Sequence, residues 1–228
     1  MNIQGFQKLT LLDFPGRTAC TVFTGGCNLR CPFCHNAGLV RTPMERPNAR
    51  EEVLTYLQKR QGLLDGVCVT GGEPLLQPDL KEFLREIREM GYAVKLDTNG
   101  SLPDRLAELL ALGLVDYVAT DVKSSPAGYA TAVGAEVDAS VYDRSIRVLQ
   151  NSGIPYEFRT TAVKGIHTPA DFAAIGQWLA GEPAYFIQKF VDSGQLLGEG
   201  YAAFSQEEME HLLAVVGEYI PAAQLRGC

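Results

Sequence analysis

Thr18-Ala19-Cys20-Thr21-Val22-Phe23-Thr24-Gly25-Gly26-Cys27-Asn28-Leu29-Arg30-Cys31-Pro32-Phe33-Cys34 runs from a β-branched apolar segment straight into a loop carrying three thiols. The spacing predicts a strand over 18–23 that ends at the loop. Thiolates are soft ligands, suited to zinc, copper(I) or iron–sulfur clusters, and Gly25, Gly26 and Pro32 let so short a backbone fold back until its sulfurs converge. Structural zinc sites and iron–sulfur clusters usually take four protein ligands, so three suggest a cluster with one corner left for something else. Two plainer readings stand beside that one: a structural zinc site completed by His35, and buried thiols acting as small hydrophobes. For zinc the spacing is awkward, because the three-residue and two-residue gaps share Cys31 and no second pair follows.

Outward from this loop the chain alternates. Strands are expected at 18–23, 66–70, 93–96, 117–120, 156–163 and 185–191, and helices at 50–59, 78–90, 103–112, 142–151, 169–179 and 205–219, the last opened by a Ser205/Glu208 capping box. The stretch 9–16 reads as a short extended segment closed by Pro15-Gly16, and 124–141 as irregular. Six strand-then-helix units imply a parallel sheet covered by helices, in an α/β domain spanning 1–228 without a linker. Periodicity alone fits a doubly wound sheet or a partial (β/α)6 barrel. Polar clusters at the C-terminal ends of the strands favour the barrel, whose active sites lie there.

A net charge of −7 without a Lys/Arg cluster argues against nucleic acid or an anionic membrane as the main partner. No apolar run is long enough to span a bilayer, and the first residues show neither a basic nor an apolar leader region, so a cytoplasmic protein is expected. Six cysteines in such a chain are not read as a disulfide framework. Cys20 and Cys68 lie in apolar strands as core thiols, and these two with Cys228 are expected to be dispensable for any cluster.

Cys27-x-x-x-Cys31-x-x-Cys34 after the first strand, with Gly71-Gly72-Glu73-Pro74 after the second, resembles the radical S-adenosylmethionine superfamily over nearly the whole chain. The resemblance implies a partial (β/α)6 barrel in which Cys27, Cys31 and Cys34 hold a 4Fe4S cluster whose fourth iron is chelated by S-adenosylmethionine. One electron then cleaves that cofactor to methionine and a 5′-deoxyadenosyl radical, which takes a hydrogen atom from the substrate. It also implies cofactor contacts from Phe33 (adenine), Gly71, Gly72 and Glu73 (the methionine amino group), Thr98 and Asn99 (ribose or carboxylate), and Asp121 and Lys123, with a monovalent cation near Asp97 and Asp121. For Asp97 the turn amides of residues 98–100 are an equal alternative partner. Arg159, a charge within a strand, needs a partner, and the cofactor is the expected one. Gln188 is a candidate for the same cavity. His167 and His211 read as structural or solvent-facing, and His35 as a loop cap beside the cluster.

Residues 5–16 and Phe33-Cys34-His35-Asn36 are most similar to the activating proteins of anaerobic ribonucleoside-triphosphate reductase. That branch implies hydrogen abstraction from a backbone glycine of the reductase, with an electron donor such as flavodoxin. An activase for pyruvate formate-lyase is the nearest competitor. From a different class come a non-catalytic electron carrier and a zinc-binding module, neither of which requires residues 71–74, Thr98-Asn99 or Arg159.

Overall fold

The elements follow one another as β1 (Ile3–Thr10), β2 (Ala19–Thr24), α1 (Ala37–Arg41), α2 (Ala49–Gln58), β3 (Gly66–Gly71), α3 (Leu80–Glu89), β4 (Ala93–Thr98), α4 (Pro103–Ala111), β5 (Tyr117–Asp121), α5 (Tyr129–Val133), α6 (Ala139–Gln150), β6 (Tyr156–Ala162), α7 (Pro169–Trp178), β7 (Tyr185–Lys189), α8 (Gln206–Gly217) and β8 (Gln224–Arg226). The structure is a computed structural model and describes residues 1–41, 46, 48–192 and 194–227. Cys228 lies outside the described residues.

Two compact units are interleaved along the chain: residues 1–28, 38–119 and 141–155 form the first, and 29–37, 120–140 and 156–228 the second. In the first, β2, β3 and β4 are parallel, with Thr21 beside Cys68 and Cys68 beside Lys95, and β1 is added antiparallel to β2. Val67, Cys68, Val69, Val94 and Leu96 are all fully buried, as strands of a helix-covered parallel sheet must be. Helix α3 covers this sheet with Leu80, Phe83, Leu84 and Ile87, the stripe that 3.6-residue spacing puts on one side, while its charged residues face out. Helix α2 closes over β1, where the Tyr56 hydroxyl donates to the Lys8 carbonyl at 2.7 Å. In the second unit β6, β7 and β8 are parallel.

The expected parallel α/β class is therefore found, with element ends displaced by at most three residues. Strand β1 and the short β8, α1 and α5 were not expected. Helices α1 and α5 have five residues each, too few for an apolar stripe to repeat. Helix α8 begins with the capping box read from Ser205 and Glu208: the Ser205 Oγ accepts from Glu208 N at 3.2 Å, and Glu208 Oε2 accepts from Ser205 N at 2.6 Å. Ser205→Ala is expected to cost about 1 kcal/mol and lower the thermal midpoint by roughly 2–4 °C, measured by circular dichroism melting.

Candidate active site

In the first unit three strand ends meet at backbone distance. After β3 the chain runs through Gly71 and Gly72, and a Cβ at Gly72 would lie 2.0 Å from the Gly26 carbonyl oxygen. Gly71 has φ +119, and a Cβ there would lie 2.3 Å from the Thr24 nitrogen. This closeness lets Gly72 N donate to Thr24 O and Glu73 N to Gly26 O, each at 2.8 Å, so the residue before Cys27 is bonded to the Gly-Gly-Glu-Pro turn. Glu73 is fully buried, and its carboxylate accepts from Leu75 N at 2.9 Å, the Thr98 hydroxyl at 2.9 Å and Asn99 N at 2.7 Å. Asn99 Nδ2 approaches the Cys27 sulfur at 3.7 Å and donates to Asn28 Oδ1 at 3.0 Å, and Asn28 in turn donates to the Ser101 hydroxyl at 2.8 Å.

In the second unit Cys31 is buried and Cys34 half-buried in a turn where Cys34 N donates to Cys31 O at 3.1 Å. Asp121, at the end of β5, accepts from Lys123 Nζ at 2.9 Å on one oxygen and from the Arg159 guanidinium at 3.0 Å on the other. Burial alone would raise the Asp121 carboxyl, but the Arg159 and Lys123 charges outweigh it and hold the group at about 2. Burial alone would lower the Lys123 ammonium. Asp121, and after it the thiols of Cys31 and Cys34, raise it instead, which keeps a fixed positive charge beside two of the three sulfurs.

His167 organises this half. Its Nδ1 accepts from Val163 N at 3.1 Å, so the proton sits on Nε2, which donates to the Lys123 carbonyl at 2.8 Å, and its ring meets Phe33 edge-on with centroids 6.1 Å apart. Burial lowers its pKa. The unfolded chain takes up a proton near pH 6.5 that the folded ring refuses, so this group's effect is a loss of stability as pH falls below about 6.5, at most about 1.4 kcal/mol per pH unit. His167→Gln is expected to flatten that part of the profile, read from urea midpoints between pH 7 and 5.

The family pattern of the radical SAM superfamily matches residues 21–179. The chain belongs to the radical SAM superfamily. It is 31% identical over 193 residues, 82% of this chain and 79% of the other, to a Methanocaldococcus jannaschii protein whose name places it among the glycyl-radical enzyme activating enzymes. It is also 32% identical over 195 residues, 73% of each chain, to the 7-carboxy-7-deazaguanine synthase of Methanopyrus kandleri. To the pyruvate formate-lyase-activating enzyme of Clostridium pasteurianum it is 31% identical over 168 residues, 71% of this chain and 68% of the other. Among solved structures, Streptococcus suis SuiB bound to S-adenosylmethionine superposes with a TM-score of 0.67 at 17% identity, over 89% of this chain and 48% of that one. That likeness shows the shared fold, the parallel α/β fold of radical SAM enzymes.

Radical SAM enzymes use a 4Fe4S cluster and S-adenosylmethionine. The donor set here fits: three cysteines outside any disulfide, two half-buried and one buried, on a loop whose backbone is tied to the Gly-Gly-Glu-Pro turn. Among the described residues no three His, Cys, Asp or Glu side chains are gathered around a single-ion site.

The site residues expected from the sequence meet partners within the chain. Glu73 is buried and accepts from Leu75, Thr98 and Asn99, which makes it a tie between the ends of β3 and β4. The Thr98 hydroxyl donates to Glu73, and Asp121 holds the Arg159 guanidinium. Asp97 is bonded by the Lys95 ammonium; of the turn amides expected for it, Asn99 N donates to Glu73 and Gly100 N to the Thr98 hydroxyl at 3.2 Å. The cation expected near Asp97 and Asp121 thus meets carboxylates that already carry ammonium or guanidinium partners. Of the two histidines read as structural or solvent-facing, His167 is buried and structural and His211 is exposed; His35 is exposed and stacks on Phe190 with centroids 5.5 Å apart. Phe33 is buried against His167. Gln188 lies beside Thr161 and shares the strand face of Arg159 and Phe186. Cys20 and Cys68 are fully buried, and burial pushes the Cys20 thiol up to about 12. Among the described residues no helix is long and apolar enough to cross a membrane.

One residue with evident work at these strand ends was missed, Lys95, which had a signal, a lysine inside an apolar strand two residues before an aspartate. For His167 a structural role was expected but not its long-range partners, which lie 44 residues away at Lys123 and 134 residues away at Phe33.

Proposed function

We propose that this chain is an activase that makes a glycyl radical in a partner enzyme, the anaerobic ribonucleoside-triphosphate reductase. The observation that carries the reading is the similarity to a named activating enzyme across 82% of this chain and 79% of that one. The similarity of residues 5–16 and 33–36 to the reductase activators supports the choice of partner. In this reading Cys27, Cys31 and Cys34 hold the cluster within one domain spanning 1–228. Phe33, Gly71, Gly72, Glu73, Thr98, Asn99, Asp121, Lys123 and Arg159 form the surround of S-adenosylmethionine, with Thr98 and Arg159 also holding Glu73 and Asp121 in position. When bound, the cluster and S-adenosylmethionine supply one-electron cleavage and a hydrogen-abstracting carbon radical.

The chain's own groups bind and orient. The Asn99 amide lies on the Cys27 sulfur and Lys123 stands near Cys31 and Cys34, so negative charge on the thiolates is met by a donor in each unit. The close backbone approach at Gly72 fixes the cluster loop against the β3 turn, the positioning that near-attack geometry demands. The electron donor in this reading is a flavodoxin-like protein, and the protein works in the cytoplasm.

The test is anaerobic. Reconstituted, reduced protein is mixed with S-adenosylmethionine and either purified reductase or pyruvate formate-lyase, and the electron paramagnetic resonance spectrum is recorded. A glycyl doublet with the reductase alone is the expected result. A doublet only with pyruvate formate-lyase moves the assignment to that partner, for which the Clostridium pasteurianum enzyme supplies the observation. No doublet with either, but S-adenosylmethionine consumption with a small substrate, would favour the reading suggested by the Methanopyrus kandleri synthase.

A further inference from the structure

Strand β4 carries Lys95 and Asp97 two residues apart, and β5 ends in Asp121 with Lys123 two residues beyond it, in the opposite order. Residues i and i+2 of a strand point to the same face, so Lys95 and Asp97 are built to meet. Both pairs do meet. The Lys95 side chain is 2% exposed, its ammonium bonds Asp97, which is 13% exposed, and it lies 5.9 Å from the centroid of the Tyr117 ring and 3.9 Å from the Cys68 sulfur. In the second unit Lys123 and Arg159 occupy the two oxygens of Asp121. Counting formal charges, Lys95 with Asp97 sums to zero, and Asp121 with Lys123 and Arg159 sums to plus one.

A monovalent metal ion is held by several converging oxygen ligands that are not already shared with another cation. Neither acid offers that, and an added ion at Asp97 would face an ammonium already on the carboxylate. The pair also explains why a lysine tolerates this place: an ammonium so deeply buried needs a counter-charge, and the carboxylate equally needs the ammonium. We propose that the Lys95 ammonium is a covalently tethered replacement for a bound monovalent cation at Asp97, so that this chain binds S-adenosylmethionine without sodium or potassium. The inference rests on the reading above that places S-adenosylmethionine by the β4 and β5 ends. A tethered charge is present at full occupancy whatever the salt, which a dissociable ion is not.

The test uses the reconstituted holoenzyme, exchanged anaerobically into tetramethylammonium chloride, with sodium, potassium, rubidium or caesium chloride replacing it at constant ionic strength. S-adenosylmethionine affinity is read by equilibrium dialysis, and cation binding by thallium-205 resonance on the protein without cofactor. Wild-type affinity is expected to be the same in every salt, with no site-bound thallium. Lys95→Met is expected to bind about ten- to a hundredfold more weakly in tetramethylammonium, the loss of one charge-assisted contact, and to recover on adding potassium. Lys95→Arg, which keeps the charge, is expected to stay independent of the cation, and it covers the case in which the methionine variant does not fold. Wild-type affinity that rises severalfold with potassium overturns the proposal, as does a Lys95→Met protein that binds as tightly as wild type without any metal cation. Failure of the wild type to bind S-adenosylmethionine in any salt would instead remove the site reading beneath it.

Discussion

Gly72→Ala is expected to lower the rate of S-adenosylmethionine cleavage by about 100-fold, the scale of loss when a reacting constellation is displaced by roughly 1 Å. The added methyl carbon would sit 2.0 Å from the Gly26 carbonyl oxygen, and that atom is backbone, so no side chain can rotate away. Either the Gly-Gly-Glu-Pro turn or the residue preceding Cys27 must move, and the hydrogen bond from Glu73 N to Gly26 O stretches with it. Overpacking of this kind also costs about 1–3 kcal/mol of stability. The measurement is 5′-deoxyadenosine formation by the reduced, reconstituted variant, beside its urea unfolding curve and iron content. A variant with wild-type turnover would show that the approach of the two turns is immaterial to the site.

Glu73→Ala should act on the fold first. It strands at least three donors, the Leu75 and Asn99 amides and the Thr98 hydroxyl, each worth roughly 1–3 kcal/mol when left unsatisfied, so a loss of about 3–5 kcal/mol is expected. That is a large share of the ~5–15 kcal/mol stability of a typical domain. Glu73→Gln separates charge from geometry: its amide oxygen keeps two of the three donors, while its NH2 group opposes the Asn99 N–H. It should lose about half as much. Equilibrium urea unfolding checks both. If Glu73→Ala unfolds like wild type but binds S-adenosylmethionine poorly, the carboxylate serves the cofactor and not the strand ends.

The α/β class was legible because it is written in periodicity: apolar runs of four to eight residues, each followed by a helical stripe such as Leu80, Phe83, Leu84 and Ile87. The Cys27/Cys31/Cys34 loop and Gly71-Gly72 were legible because metal ligation and close backbone approach demand those residue types at fixed spacing. Partnerships were not. Glu73 and Arg159 were each read as facing a cofactor, and Asp97 as facing a cation or its own turn amides; each meets a protein partner, two of them on another strand. A side chain's type says that it needs a counterpart; only the register of neighbouring strands says which one it meets. Strand β1 escaped for a different reason. Its residues Gln4, Gly5, Gln7 and Lys8 carry little apolar signal, since it lies at the margin of the sheet and only Ile3 and Thr10 are buried.

The interleaving of the two units along the chain sets a timetable for synthesis. The cysteine loop is complete at residue 34, yet the second unit, which holds Cys31 and Cys34, gains Lys123 only 89 residues later and closes with β8 at residues 224–226. At roughly 5–20 residues per second, the thiols precede their lysine by about 4–18 s on the ribosome. During that interval they lack the positive charge that the finished structure sets beside them. Cluster assembly is therefore expected to follow completion of the second unit, and nascent chains arrested before residue 123 should retain less iron on anaerobic reconstitution than chains released whole.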